Sequence, residues 1–345
     1  MKRPLRLTIK PLAIIGITSL GLTLAFAAAT QSGHWIIERS SEPGKVHLTL
    51  EVSSEGHNHS NSSSDWDVRD LQGIDLATAA KHDVQFAINR DAGKIDGEGF
   101  AHDGEGAGFF HFNPSPKYIS EMNSLGYPGI EDDHLIAYAI HDVSLNFARE
   151  MKSLNVDGLD KDKLIAFRIF NVNKAFIGEM RAAGINENDA DKLIAFRIHG
   201  VTPEMVRAFK AEGYSLDADK LIAFRIHGVT PEMAQTLKTQ GYAPDADKLI
   251  AMRIHGVTPE WMKQMNDLGY GHLDLDKYIA FRIHGVSPEF IQSFSQLGYQ
   301  HPDPDQLIAM RIHGVTPEYI SKLSSQGVKH LTIDQLVSLR IHGIN

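Results

Sequence analysis

Six histidines recur at a fixed step of 28 or 29 residues: His199, His227, His255, His284, His313 and His342. An arginine stands two residues before each (Arg197, Arg225, Arg253, Arg282, Arg311 and Arg340), with Arg168 one step earlier. Glu204, Glu232, Glu260, Glu289 and Glu318 form a third row. A file of imidazoles suits a borderline metal ion or a charge switch near neutral pH. Zinc holds its nitrogens at ~2.0–2.1 Å, so two ligands must approach within ~4 Å, which rows one helix diameter apart barely permit. The structural reading comes first: each histidine closes a helix, where it suits the negative end of the dipole and can bond exposed carbonyls. The arginines would then pair with the glutamates or with Asp219-type residues between layers. A metal- or pH-responsive histidine row stands as the alternative.

Other chemistry-bearing groups are sparser. His47, His57 and His59 fall in or beside a Ser/Asn/His-rich stretch over residues 55–65, which reads as a solvated loop rather than a ligand set. Asp96, Glu98, Asp103 and Glu105 suggest calcium, but their spacing does not match an EF-hand loop, and acidic glycine-rich hairpins are ordinarily exposed. A hydrolase would need a cleft around Asp96, Glu98 and His102. The chain has no His-Glu-x-x-His, no Gly-x-Ser-x-Gly, no phosphate loop and no dinucleotide fingerprint, so no catalytic residue and no cofactor is assigned. With no cysteine, thiol chemistry, disulfides and a zinc ribbon are excluded. A net charge of −9 disfavours nucleic acid as a partner.

These residues need elements to hold them. Lys2, Arg3, Arg6 and Lys10 precede an apolar run from Leu12 to Ala29, the layout of a secretory signal or a signal anchor over residues 1–30. Ala25-Phe26-Ala27 offers a cleavage site, and the run is just long enough to span a bilayer, so cleavage and tethering both stay open. Either way, the chain beyond residue 30 faces the exterior or periplasm. Residues 35–116 read as a β-domain of about four strands. Val46–Val52 alternates with period two, and three further runs between Asp83 and Pro114 are separated by Asp91-Ala92-Gly93 and His102-Asp103-Gly104.

Residues 117–345 are one unit written about eight times, around the phrase Leu-Ile-Ala-Phe-Arg-Ile-His-Gly-Val-Thr-Pro-Glu. Two weaker copies, at His141-Asp142-Val143 and Phe170-Asn171-Val172, precede the six. Each unit parses into two short helices. One has Thr202 as N-cap, Pro203 in its first turn, and Gly213 with Tyr214 closing it; the other opens near Asp217 and stops at Gly228. Such short helices survive only by stacking on neighbouring copies. The second, apolar nearly all round, should be sandwiched, with the amphipathic Thr-Pro-Glu helix outside. The fold class is therefore α+β: a small N-terminal antiparallel β-domain followed by an α-solenoid of about eight helix pairs. Exposed aromatics such as Trp261 or Tyr319 would mark a binding face.

The phrase Arg-Ile-His-Gly-Val-Thr-Pro-Glu followed by an aromatic or Met, with its closing Gly-Tyr, resembles a repeat of uncharacterised bacterial exported or membrane proteins. It also resembles the C-terminal repeats of some antirepressor metallopeptidases related to β-lactam sensors. Phe86–Gly93 and Gly104–Gly108 look like the β-segment that precedes such repeats in the first group, so the likeness covers most of residues 84–345. This chain lacks the peptidases' membrane domain and zinc motif, so their activity does not transfer. The resemblance implies an exterior interaction module in envelope sensing. The expectation is a non-catalytic exported or tethered scaffold that binds a protein or peptide. Its membrane contact would run only through the N-terminal segment, and nothing fixes an oligomeric state.

Overall fold

The computed structural model describes residues 31–53 and 60–344. The signal-like segment 1–30, His57 and His59 lie outside the described residues. Two compact units emerge, a β-unit ending at Lys117 and a helical unit starting at Tyr118, to which Arg90–Ala92 also belongs.

The β-unit has six strands rather than four: β1 (Gln31–Arg39), β2 (Lys45–Ser53), β3 (Ser60–Asp67), β4 (His82–Arg90), β5 (Gly93–His102) and β6 (Glu105–Pro114). They form one antiparallel sheet in the order β3-β2-β1-β6-β5-β4, two three-stranded meanders joined through β1 and β6. The expected loop over 55–65 is corrected by β3. Ser60–Asp67 pairs with β2 in continuous register, from Val52 opposite Ser60 to Lys45 opposite Asp67. As an edge strand it needs few apolar side chains, and among its described side chains only Trp66 is buried. Instead, its polar side chains bond across the ladder, Ser63 to Thr49 at 2.8 Å and Asp65 to His47 at 3.0 Å.

The glycines of β5 have a steric cause. Trp35 of β1 meets Phe86 of β4 edge-on, with ring centroids 5.3 Å apart. Three strand steps of ~4.8 Å separate β1 from β4, so a flat sheet would hold them about 14 Å apart. The sheet is therefore strongly coiled, and the two rings lie against the inner side of β5. A Cβ on Gly97 would run into the Phe86 ring, and one on Gly99 would sit 2.8 Å from Trp35. The indole N–H of Trp35 donates to the Glu98 carbonyl at 3.1 Å and fixes the ring over that glycine step.

Sixteen helices are described in the second unit. They begin with α1 (Pro116–Leu125), α2 (Asp132–Ile140), α3 (Leu145–Ser153), α4 (Lys161–Ile169), α5 (Lys174–Ala183) and α6 (Ala190–His199). Next come α7 (Pro203–Ala211), α8 (Ala218–His227), α9 (Pro231–Thr239), α10 (Ala246–His255) and α11 (Pro259–Asp267). The last are α12 (Leu275–His284), α13 (Pro288–Ser295), α14 (Pro304–Ile312), α15 (Pro317–Ser325) and α16 (Ile333–Ile341). The even-numbered helices stack in one unbroken column from α2 to α16, and the odd-numbered ones pack on each other alongside, as α5–α7, α7–α9 and α9–α11 show. The unit is a two-layer α-solenoid.

Its punctuation follows the sequence. Thr202 caps α7 by accepting from the Met205 N–H at 3.2 Å, with Pro203 in the first turn. Gly213 takes a left-handed φ of 81°, and the Tyr214 N–H returns to the Phe209 carbonyl at 2.9 Å, the C-terminal motif expected of that pair. Asp217 caps α8 and Gly228 closes it at φ 68°. In the two weak copies, Asp142 and Asn171 take the same left-handed place at φ 53° and 55°, which Asp and Asn tolerate better than other side chains. Buried Leu221, Phe224 and Val229, and their equivalents, interlock along the stack, so residues from Phe209 to Leu336 belong to one continuous core.

Candidate interaction surface

Each even helix carries the sequence of α8, from Ala218 to His227, or a near copy. Leu221 and Phe224 point inward and are fully buried. The outward residues are Ile226 and its counterparts. Ile169, Ile198, Ile226, Ile254, Ile283, Ile312 and Ile341 are 52–56 % exposed, a half-uncovered isoleucine at the same place in seven consecutive helices. Only the first of the row, Ile140, is buried. The even helices are thus not sandwiched. They form one of two layers and keep an apolar face in water.

Two rows of polar side chains border this ribbon. At the N-terminal ends of the even helices, a lysine of one copy meets an aspartate of the next: Lys163 with Asp191 at 2.8 Å and Lys192 with Asp219 at 2.9 Å. Lys220–Asp247, Lys248–Asp276 and Lys277–Asp305 continue the row. His134–Asp162 at 2.8 Å opens it and Gln306–Asp334 at 3.0 Å closes it. Asp219-type residues therefore pair with lysine, not with the arginines as expected. The aspartates raise the pKa of Lys163, Lys192, Lys220 and Lys277 through these hydrogen bonds.

At the other end, each arginine reaches back one copy. Arg225 Nε donates to the His199 carbonyl at 3.1 Å, Arg253 to His227 at 3.1 Å, Arg282 to His255 at 3.1 Å and Arg311 to His284 at 3.2 Å. Arg197 uses the Phe170 carbonyl at 2.9 Å, Arg168 that of His141 at 2.9 Å and Arg340 that of His313 at 3.1 Å. The acceptor is a helix-end carbonyl that otherwise has no partner, so the guanidinium acts as a C-cap supplied from the next copy. Five of the seven also lie over an aromatic ring of the adjoining odd helix: Phe147, Phe176, Trp261, Phe290 and Tyr319, at 4.7–5.2 Å. The hydrogen bond makes each arginine a clasp between copies, and in these five the cation–π contact reinforces it. Trp261 and Tyr319 are accordingly buried, not the exposed binding aromatics expected.

The histidines contribute their backbone to this clasp and keep their rings free of it. Among the described residues none is hydrogen-bonded to the imidazoles of His199, His227, His255, His284, His313 or His342, and the arginines do the capping expected of the histidines. No group of three or more His, Asp or Glu that could hold a metal ion occurs among the described residues. The glutamate row serves helix starts. The carboxyls of Glu204, Glu260 and Glu318 are held below their ordinary pKa, first by a backbone N–H of the first turn and then by the capping threonine.

In the β-unit, Asp96, Glu98 and His102 alternate on the outer side of β5 with Lys94 and Phe100. Asp96 is occupied by Lys94 at 2.5 Å and by the Asn113 amide at 3.2 Å. Asp103 holds Arg39, and His47 is tied to Asp65 and, at 2.8 Å, to Ser63. These are structural pairs; Asp96 and Glu98 also line an open concavity with Gln72, Gln85 and His111, while His102 is not part of its lining. Among the described residues no helix is long and apolar enough to cross a membrane. No protein-family model matches the chain, and neither the curated proteins nor the solved structures contain a match. The fold alone defines a class: an α+β chain whose larger unit is an array of helical repeats.

The isoleucine ribbon is the surface feature that the sequence reading missed. Its signal was present, in that Ile follows Arg and precedes His in six copies, but an apolar residue on a nearly all-apolar helix passes for core.

Proposed function

We propose that this chain is a non-catalytic repeat scaffold, exported or tethered at the cell envelope, and that it binds a protein or peptide partner along the even-helix column. One observation carries the reading. Past the capping first turn with its invariant glutamate, exposed positions on the odd helices differ from copy to copy, as Arg207, Gln235, Lys263, Gln292 and Ser321 show, while the exposed isoleucine is the same in all seven copies. Duplication alone would leave both faces equally alike. Leaving half an isoleucine side chain in water forgoes about 1 kcal/mol of burial each time, with no internal contact in return. An external partner supplies the missing reason. The leader-like start and the absence of any catalytic motif support the remaining parts of the proposal. A photo-crosslinking residue at Ile254 should give an adduct of discrete mass in cells, whereas the same probe at exposed Gln235 should not. Equal adducts at both sites, or none at either, would remove the basis for the proposal.

A further inference from the structure

We infer that the outer face of the six-stranded sheet is a second docking surface, and that it receives a cationic polypeptide segment whose basic side chains flank an apolar one. This surface is separate from the helical column and does not depend on it. A sheet with one face in the core ordinarily turns polar side chains to water on the other. Here the middle of the outer face is apolar. Ile36 on β1 stands opposite Ala107 on β6, and Ala107 stands opposite Phe100 on β5. Phe109, two residues further along β6, lies on the same side, opposite His34 and Glu98. Phe109 is 57 % exposed, Ile36 41 % and Phe100 39 %. Three large apolar side chains thus lie together on three adjacent strands. Such a cluster marks a contact site, whereas apolar residues exposed singly do not.

Charge selects the occupant. The cross-strand row through Phe109 runs Glu51, His34, Phe109, Glu98, so a carboxylate stands at each end of it. Glu38, two residues beyond Ile36, and Glu105, two residues before Ala107, border the patch on another side. Among the described residues, no cation lies within ion-pair distance of these four carboxylates. The nearby cations are engaged elsewhere: Lys94 with Asp96, Lys45 with Glu42 and Arg39 with Asp103. Lys81 lies over the Phe100 ring, 3.9 Å from its centroid. Four carboxylates without a cation, against the one ammonium of Lys81, leave the face acidic. A nucleic acid or an anionic bilayer is repelled from it. A polypeptide with guanidinium or ammonium groups on either side of an apolar residue meets the carboxylates and the patch at once. Its cation can also lie over the exposed Phe109 ring, as Lys81 does over Phe100. Glu98 lines the concavity shared with Asp96, Gln85 and His111, so a long basic side chain passing Phe109 has room to reach it.

The test is calorimetric titration of the full chain with the synthetic peptide Arg-Ser-Leu-Ser-Arg. In an extended peptide its three long side chains fall on one side. Saturable one-to-one binding is expected, weakened roughly fivefold by Phe109→Ser and about threefold by Glu98→Gln. Glu98→Lys should abolish it, which keeps the test decisive should Phe109→Ser disturb the sheet. Glu179→Gln on the exposed surface of α5 and Ile254→Ser on the helical column should leave binding unchanged. Equal binding of Glu-Ser-Leu-Ser-Glu overturns the inference, and so does the absence of any binding. Weakening by Glu179→Gln as large as that by Glu98→Gln would reduce the effect to diffuse attraction and overturn it too. Self-association that Phe109→Ser abolishes, or peptide binding that appears only after removal of residues 1–30, would give the face to a second copy or to the chain's own start, and the cationic partner would fall.

Discussion

Arginine and isoleucine are neighbours in each even helix from α4 to α16, yet they answer to different demands, and substitution should separate them. Arg168 is bonded to the His141 carbonyl and, at 2.8 Å, to Asp142, and it covers the Phe147 ring. Arg168→Ala should cost about 1–2 kcal/mol in chemical denaturation, because charged hydrogen bonds are lost at a helix end. Ile254→Ser should cost no more than about 1 kcal/mol, since over half of the side chain already lies in water. A large loss at Ile254 would mean that the ribbon is internal packing.

Buried phenols and paired ammonium groups set the alkaline limit. Burial raises Tyr270 to about 12 and moves Tyr118, Tyr138 and Tyr278 further in the same direction, above the ordinary 10.0. Lys163, Lys192, Lys220 and Lys277 of the Lys–Asp row are likewise raised above 10.5 by their aspartates. In both sets the folded chain binds protons more tightly than the unfolded chain. Their stabilisation is therefore complete below about pH 10 and is lost as pH rises through the folded values. Thermal melts should hold steady from pH 8 to 10 and fall above it, with tyrosine ionisation appearing at the unfolding step. Ionisation well before unfolding would contradict the burial.

Among the elements, caps and turns were the most legible part of the sequence. Thr202, Pro203, Gly213, Asp217 and Gly228 do what their types dictate, because capping depends on a few adjacent atoms. Partners were less legible. The Arg225 clasp and the Lys220–Asp247 pair join residues 26 and 27 positions apart, and only the stacking geometry decides which of several opposite charges meet. β3 was missed because an edge strand of Ser and Asn lacks the apolar alternation by which a strand is read. The difference between 28- and 29-residue copies has a local explanation. The longer ones carry one more turn residue, and His272, His301 and His330 take left-handed φ values of 43–61° there. Deleting His301 should therefore be tolerated, whereas deleting Ala309 inside α14 should abolish cooperative melting. Gly256 combines φ 69° with an approach of 2.5 Å between a built Cβ and Arg282 Nη2. Gly256→Ala should destabilise by about 1–2 kcal/mol, and Gly256→Asn by less.

Over the whole helical unit, stability is a sum of copies and junctions, because each even helix packs mainly on the one before and the one after. A defect in the middle should therefore divide the array. Phe224→Ala removes a fully buried ring at a cost of about 3–5 kcal/mol. It should split a single unfolding transition into two, visible in calorimetry and as a protection boundary near α8 in hydrogen exchange. Leu336→Ala in α16 should fray one end and leave the main transition in place. Identical behaviour of the two variants would mean that the array unfolds as one indivisible block. The repeat architecture was legible from the sequence at this scale. That the even helices also face water was not, since their nearly unbroken apolar run reads as sandwiched.

The backward reach of the arginine bears on how such a molecule changes its length. Every link carries its own fastener to the link before and offers a carbonyl eye to the link after, so splicing in or excising a whole link leaves both neighbours correctly joined. Lengthening the ribbon then requires no new invention, only another copy of the same 28 or 29 codons. Its extent can change in discrete steps, link by link, while the rest of the chain stays as it was.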